Sequence, residues 1–249
     1  VLDGLPGDAH AYVSWRDQQA ALGSLLHPAK RIAMQYSPMN AIPYLSRVDA
    51  GTIDLVRSLG AEVVTSADLV QQFEAVWDDA QLASHQVAAE GLRAIVDEAF
   101  GFVGTSLAAR SSLTEYGLQQ YILSRIQARG LVTSSPPIAA VNAHSADPHY
   151  APASEGSAPI RQGDLVLIDL WAKQLGPGAV YADITWTGFV GATVPARHQD
   201  IFQIVRRARD AAVTFVQGRV RVGECPYGWE VDDVCRRVIQ DAGYGQYFV

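Results

Sequence analysis

Asp169 and Asp183 are the side chains in this sequence whose type and spacing point most directly to chemistry. They lie in the stretch Asp164–Gly191, DLVLIDLWAKQLGPGAVYADITWTGFVG. Asp164–Trp171 is an apolar run broken by Asp169, Val180–Val190 carries Asp183, and Gly176-Pro177-Gly178 between them reads as a turn. A hairpin folded symmetrically about Gly176 sets Asp169 opposite Asp183 and residue 171 opposite residue 181, with the two aspartate Cβ atoms roughly 5 Å apart. Like charges facing each other among Leu, Val, Ile and Trp destabilise a sheet, and a cation between them or a shared proton relieves that cost. Paired carboxylates on a rigid hairpin suit hard or borderline divalent ions such as Mn²⁺ or Zn²⁺. Either aspartate alone reads as a strand-end residue; the metal reading rests on the two in register. The polar loop AHSADPHYAP, residues 143–152, holds His144 and His149. Their spacing is not that of metal ligands on a helix, but a histidine near the pair could be a ligand or an acid/base. His85, with no partner at i±4, reads as a helix-face residue.

The elements that position these residues follow from periodicity and punctuation. Ser14–Leu26 reads as a helix stopped by Pro28, and Lys30–Tyr36 as a strand. Asp49–Leu59 is a helix with Asp49 as N-cap and Gly60 as its stop. Ala61–Thr65 is a strand, and Ser66 starts a helix reaching about Trp77. This alternation marks a small α/β domain, residues 1–77, with parallel strands. Residues 78–249 form an α+β domain. It opens with a long amphipathic helix to about Phe102 and a second helix, Thr114–Arg129, and continues with Pro137–Asn142 and the hairpin. Helices at Ala196–Gln217 and Glu230–Ala242 and a strand starting at Gly243–Gly245 complete it. The stretch Ile201–Val216 reads as core and interface, and Cys225 and Cys235 as packing residues.

Composition limits the functions to consider. With 49% hydrophobic and 18% charged residues, the 249-residue chain can bury a sizeable core. A net charge of -7 argues against nucleic acid or an anionic membrane as partner. Two cysteines and the absence of a basic-then-apolar leader pattern fit a reducing, cytoplasmic setting. The lack of an initiator Met, and an end at Gln246–Val249 that reads as a strand cut mid-run, suggest a piece of a longer protein.

At the hairpin the sequence resembles the pita-bread metallopeptidases: Xaa-Pro aminopeptidase, prolidase and methionine aminopeptidase. The resemblance is carried by Asn142, His149-Tyr150, Gly163-Asp164-Leu165-Val166-Leu167-Ile168-Asp169, Tyr181-Ala182-Asp183-Ile184-Thr185-Trp186-Thr187 and Gly191. It continues through Val231-Asp232 and Ala242-Gly243-Tyr244-Gly245, and so covers about Asp78 to the end. The first region is similar to part of the creatinase/prolidase amino-terminal domain, which favours the Xaa-Pro branch. The resemblance implies a pita-bread fold and peptide-bond hydrolysis by a hydroxide bridging two divalent ions (Mn, Zn or Co) in a homodimer acting on small peptides. Asp169 and Asp183 match the first two metal ligands, Asp183 bridging both ions, and His149 matches a histidine that contacts substrate. One His and two Glu complete the family's ligand set, after a stretch that would begin where this sequence stops. The chain departs from the pattern at Trp171, where the family has Gly, and at Trp186, where it has Arg; its inter-aspartate loop is about three residues longer. Trp171, Trp186 and Tyr181 are therefore the expected pocket residues. The two tryptophans also leave open a creatinase-like enzyme acting on a small amide or osmolyte, or an inactive binding homologue.

Overall fold

The computed structural model describes residues 7–27 and 30–248. The chain divides into two compact units, one ending at Leu82 and the other starting at Ala83. The first contains α1 (Trp15–Leu26), β1 (Arg31–Met34), α2 (Ala50–Ser58), β2 (Glu62–Thr65) and α3 (Ala67–Glu74). The strands pair in parallel, from Arg31 opposite Glu62 to Met34 opposite Thr65, with α2 as the crossover that parallel neighbours require. Asp49 caps α2, accepting from the Thr52 hydroxyl at 2.6 Å and the Thr52 N–H at 2.9 Å. Those bonds hold its carboxyl below the usual range. Ile53, Val56, Ala61 and Val63 form this unit's core. The stop expected at Pro28 lies outside the described residues.

The remaining elements are α4 (Asp79–Ala108), α5 (Glu115–Ala128), β3 (Leu131–Val132), β4 (Ile138–Val141), β5 (Leu165–Gln174), β6 (Ala182–Phe189), α6 (Ala196–Arg221) and α7 (Gly228–Asp241). α4 runs six residues past its expected end at Phe102, through Gly101 and Gly104 to Ala108. Burial of Val103 and Ser106 outweighs the roughly 1 kcal/mol that a glycine costs within a helix. β5 is the central strand, antiparallel to β4 and to β6, with β3 beside its last residues. Its sequence alternates, and its burial alternates with it. Val166, Ile168, Leu170 and Ala172 are buried against Leu92, Ile95, Val96 and Ala99 of α4 and Leu118 and Ile122 of α5. Leu165, Leu167, Asp169 and Trp171 point to the other, half-open face. α4 and α5 are tied by Glu98, whose carboxyl accepts from Arg129 and Arg125 and is held below its ordinary pKa by both.

Three expectations need correction. The hairpin turns about Pro177, not Gly176, so Asp169 pairs with Thr185 and Trp171 with Asp183. Gly176 and Gly178 both take positive φ, +136° and +74°, which glycine alone adopts cheaply, and they flank the turn symmetrically. Moving the centre by one residue moves the register by two, so the facing partners change while each side chain keeps its face. No strand starts at Gly243–Gly245; Gly245–Tyr247 is a 3₁₀ turn, closed by the Tyr247 N–H on the Tyr244 carbonyl. The ladder partner that a strand needs is not supplied there by any described residue. In α6 Ala208 is the sole buried residue and Phe202, Val205 and Val213 are exposed, so this helix is not core. It packs on α7, in which only Ile239 is buried and where Cys235 Sγ lies 3.5 Å from the Ala208 carbonyl oxygen, whereas Cys225 is exposed. Among the described residues no helix is long and apolar enough to cross a membrane.

Candidate metal centre

Strand alternation brings Asp169, Trp171, Asp183 and Thr185 to one face of the hairpin. With Asp169 opposite Thr185 and Asp183 opposite Trp171, the two aspartates are diagonal neighbours, roughly 7–8 Å apart along the backbone. That still lets both carboxylates reach one ion, since metal–oxygen bonds are roughly 2 Å long. The Thr185 hydroxyl donates to Asp169 Oδ1 at 2.6 Å and fixes that carboxylate's rotamer. Among the described residues Asp183 has no such donor, and its carboxyl pKa is raised, first by partial withdrawal from water and second by the charge of Asp169. A divalent cation would reverse both costs, so the pair fits part of such a site. Among the described residues no group of three or more His, Cys, Asp or Glu side chains converges on a cation.

The other expected site residues divide. Trp171 is half-buried directly opposite Asp183, on the carboxylate face. Tyr181 precedes β6 beyond Asp183; the Lys173 ammonium lies 5.2 Å from its ring centre, and its carbonyl accepts from His85 Nδ1 at 2.8 Å. His85 is thus the helix-face residue expected. Trp186 is not a pocket residue. It pairs with Ile168, whose side chain is on the core face, and the Arg93 guanidinium of α4 stacks over its ring at 4.2 Å. Alternation forces this, because Trp186 is one residue out of phase with Thr185 and three with Asp183.

His149 lies in the segment between β4 and β5 and is exposed. Its backbone N–H donates to Asp147 Oδ1 at 2.9 Å, and among the described residues its ring makes no hydrogen bond or ion pair. The segment around it is held firmly. Glu115, at the first position of α5, is fully buried. Its Oε1 accepts from the Val141 N–H at 2.7 Å and from His144 Nδ1 at 2.9 Å. Its Oε2 accepts from the Tyr150 hydroxyl at 2.6 Å and the Ala158 N–H at 3.0 Å. The Tyr150 phenol is pushed up to about 12, first by burial and then by this carboxylate. His144 and Tyr150 stack with ring centres 4.5 Å apart. Asn142 takes a positive φ of 49°, donates to Asp164 Oδ1 at 2.7 Å and accepts from the Leu165 N–H at 3.0 Å. Within the Asn142, His149-Tyr150 and Gly163-Asp164 motif, Asn142, Tyr150 and Asp164 therefore shape the segment.

Sequence reasoning missed Thr185 and Glu115. Thr185 could have been found, because it stands two residues after Asp183 and so shares its face. Glu115 carries no local sign of burial; a glutamate beside the N-cap Thr114 is also what an exposed helix start displays.

The chain's similarities agree with this geometry. The family model for metallopeptidase family M24 matches residues 80–249. The protein named "Putative dipeptidase YkvY" from Bacillus subtilis is 25% identical over 256 aligned residues, covering 100% of this chain and 65% of its own length. An Xaa-Pro dipeptidase of Lactobacillus delbrueckii subsp. lactis is 28% identical over 144 residues, 57% of this chain and 36% of that protein. The crystal structure of dipeptidase PepE from Mycobacterium ulcerans superposes with a TM-score of 0.60 at 25% identity, over 96% of this chain and 58% of that one. The chain thus spans less than two thirds of these relatives. Its α+β architecture is that of the pita-bread prolidases and aminopeptidases. The match over residues 80–249, together with the paired aspartates on the hairpin, shows that the chain belongs to metallopeptidase family M24.

Proposed function

We propose that the whole protein is a divalent-metal-dependent peptidase of the Xaa-Pro dipeptidase or aminopeptidase type, acting on small peptides. One observation carries this reading: Asp169 and Asp183 share the open face of a rigid hairpin, where partial burial and then the charge of Asp169 raise the Asp183 pKa. The dipeptidase names of its relatives support the substrate class. In this reading Asp169 and Asp183 would be this chain's ligands to two divalent ions, Mn, Zn or Co. One His and two Glu would complete the ligand set in the whole protein, one of those glutamates serving as general base. When bound, such ions polarise a scissile carbonyl and lower the pKa of water toward neutrality. Thr185 keeps Asp169 aimed, and Trp171 narrows the space beside Asp183. An N–H of the His149 ring donates to the developing oxyanion, a contact worth about 3 kcal/mol by analogy with oxyanion-hole donors. Residues 1–77 are the partial creatinase/prolidase-type domain in this proposal, and the working assembly is a cytoplasmic homodimer.

The test is metal removal from the full-length protein. Chelation should abolish hydrolysis of an Xaa-Pro dipeptide, and Mn²⁺, Co²⁺ or Zn²⁺ should restore it. Undiminished hydrolysis after complete removal would overturn the metal-dependent reading, and no hydrolysis with any of the three would point instead to a creatinase-like enzyme of a small amide or osmolyte or to a binding homologue.

Thr185→Val offers a finer test. Removing the hydroxyl leaves Asp169 Oδ1 without its donor, and lost partners of metal ligands typically cost 10–100-fold in affinity. Calorimetric titration with Mn²⁺ should show about that loss with the fold unchanged. An unaltered Kd would mean that Asp169 is not a ligand.

A further inference from the structure

We infer that Glu115 is a positioning residue for His149, acting through Tyr150 and His144. The inference rests on the peptidase reading, in which His149 touches substrate. Among the described residues Glu115 is the one charged side chain that is buried. A buried carboxylate persists only where donors surround it, and each of its four donors belongs to the connection between β4 and β5 or to that connection's ends. The Val141 N–H is where the connection leaves β4. His144 and Tyr150 are inside it. The Ala158 N–H is where it returns towards β5, beside the Ala158 carbonyl that accepts from the Glu115 N–H at 3.0 Å. One carboxylate thus fixes the entry, the middle and the exit of a segment that carries no strand.

His149 itself is exposed and its ring is unpartnered among the described residues. Its placement therefore comes from its neighbours in the chain. Tyr150, the next residue, is anchored by a 2.6 Å bond to Glu115, and His144 stacks on the Tyr150 ring. On the other side the Asp147 carboxylate closes a turn on the His149 N–H. Since Glu115 is also the first residue of α5, the helix packed under β5 and the segment bearing His149 share one fixed point.

The four donors define what substitution does. In Glu115→Gln one oxygen becomes an NH₂ group, which accepts from neither of the two donors on its side, whether Val141 and His144 or Tyr150 and Ala158. Tyr150→Phe removes one donor at the segment's middle and leaves the backbone bonds in place, so it retains a folded protein if Glu115→Gln does not.

The experiment uses the full-length enzyme with an Xaa-Pro dipeptide. Tyr150→Phe and Glu115→Gln should each lower kcat about 10–100-fold with KM changed less than threefold, as expected for residues that orient a group acting in the transition state. Each combined with His149→Ala should be no slower than His149→Ala alone, because the orienting group then has nothing left to orient. Losses that multiply in the double variants, or an unchanged kcat in Tyr150→Phe, would overturn the inference. Asp183→Ala is run alongside. If it too retains activity, the peptidase reading of the site fails; if it alone loses activity, that reading stands and the role of Glu115 fails.

Discussion

Asp183→Ala in the full-length protein should lose at least about 10³-fold in kcat/KM on an Xaa-Pro dipeptide, several kcal/mol of barrier. The proposed role of Asp183 is that of a metal ligand, so its loss removes one of the two carboxylates of this hairpin. Asp169 remains, still aimed by Thr185, but of the pair it is then the one carboxylate that this face offers to two ions. Mn²⁺ titration should therefore show a reduced stoichiometry as well as a lower rate. Activity within tenfold of the parent would sink the assignment of this residue.

The same substitution should behave oppositely towards stability, for a reason visible in the metal-free chain. The Asp183 carboxyl pKa is raised, first by partial desolvation and then by Asp169. An acid whose folded pKa lies above its unfolded value binds more protons folded than unfolded. Its contribution is therefore most favourable below the ordinary aspartate value of 3.8 and is lost as pH rises through the raised folded value. At neutral pH the metal-free protein carries the full penalty, which solvent at the open face keeps small. Metal-free Asp183→Ala should then melt no lower than the parent at pH 7, and its relative advantage should shrink as pH falls toward 3.8. A variant markedly less stable at pH 7 would mean that Asp183 serves the fold and not a site. This combination, lost activity with unharmed folding, separates a ligand from a structural residue.

What the sequence disclosed about this hairpin depended on what kind of information each feature needs. The apolar alternation of Leu165–Trp171 and the two carboxylates of one parity are local, and alternation alone assigned Asp169, Asp183 and Trp171 to one face. The partner of each aspartate depends on which residue centres the turn. Three residues, Gly176, Pro177 and Gly178, could each do so, and the two positive φ angles that settle it are not written in residue types. Trp186 was misplaced because its family position was weighed and its parity was not. Glu115 was invisible for another reason: its four donors come from Val141, His144, Tyr150 and Ala158, which only tertiary structure gathers. The caps at Asp49 and Thr114 were legible because a cap is complete within three residues.

The two faces of β5 should be separable by experiment. Ile168 stands immediately before Asp169, is 0% exposed, and packs in the core formed with α4 and α5. Its strand neighbours are Ala139 on β4 and Trp186 on β6. Truncating a buried Ile to Ala removes transfer energy and leaves a cavity, together about 2–5 kcal/mol. Ala139, its partner on β4, has no rotamer with which to fill it, so the upper half of that range is expected. At roughly 2–4 °C per kcal/mol for a unit of this size, Ile168→Ala should lower Tm by about 8–16 °C. At 20 °C, where the fold persists, kcat on the dipeptide should stay within about threefold of the parent, because the removed atoms lie on the side of the strand away from Asp169 and Thr185. Asp183→Ala reverses that pattern, losing rate and keeping Tm. A hairpin in which a core-facing residue governs stability and a carboxylate on its other face governs chemistry requires both results. If Ile168→Ala lost activity while still folded, the core beneath the hairpin would have to set the positions of the carboxylates, and the division of labour between the two faces would be wrong.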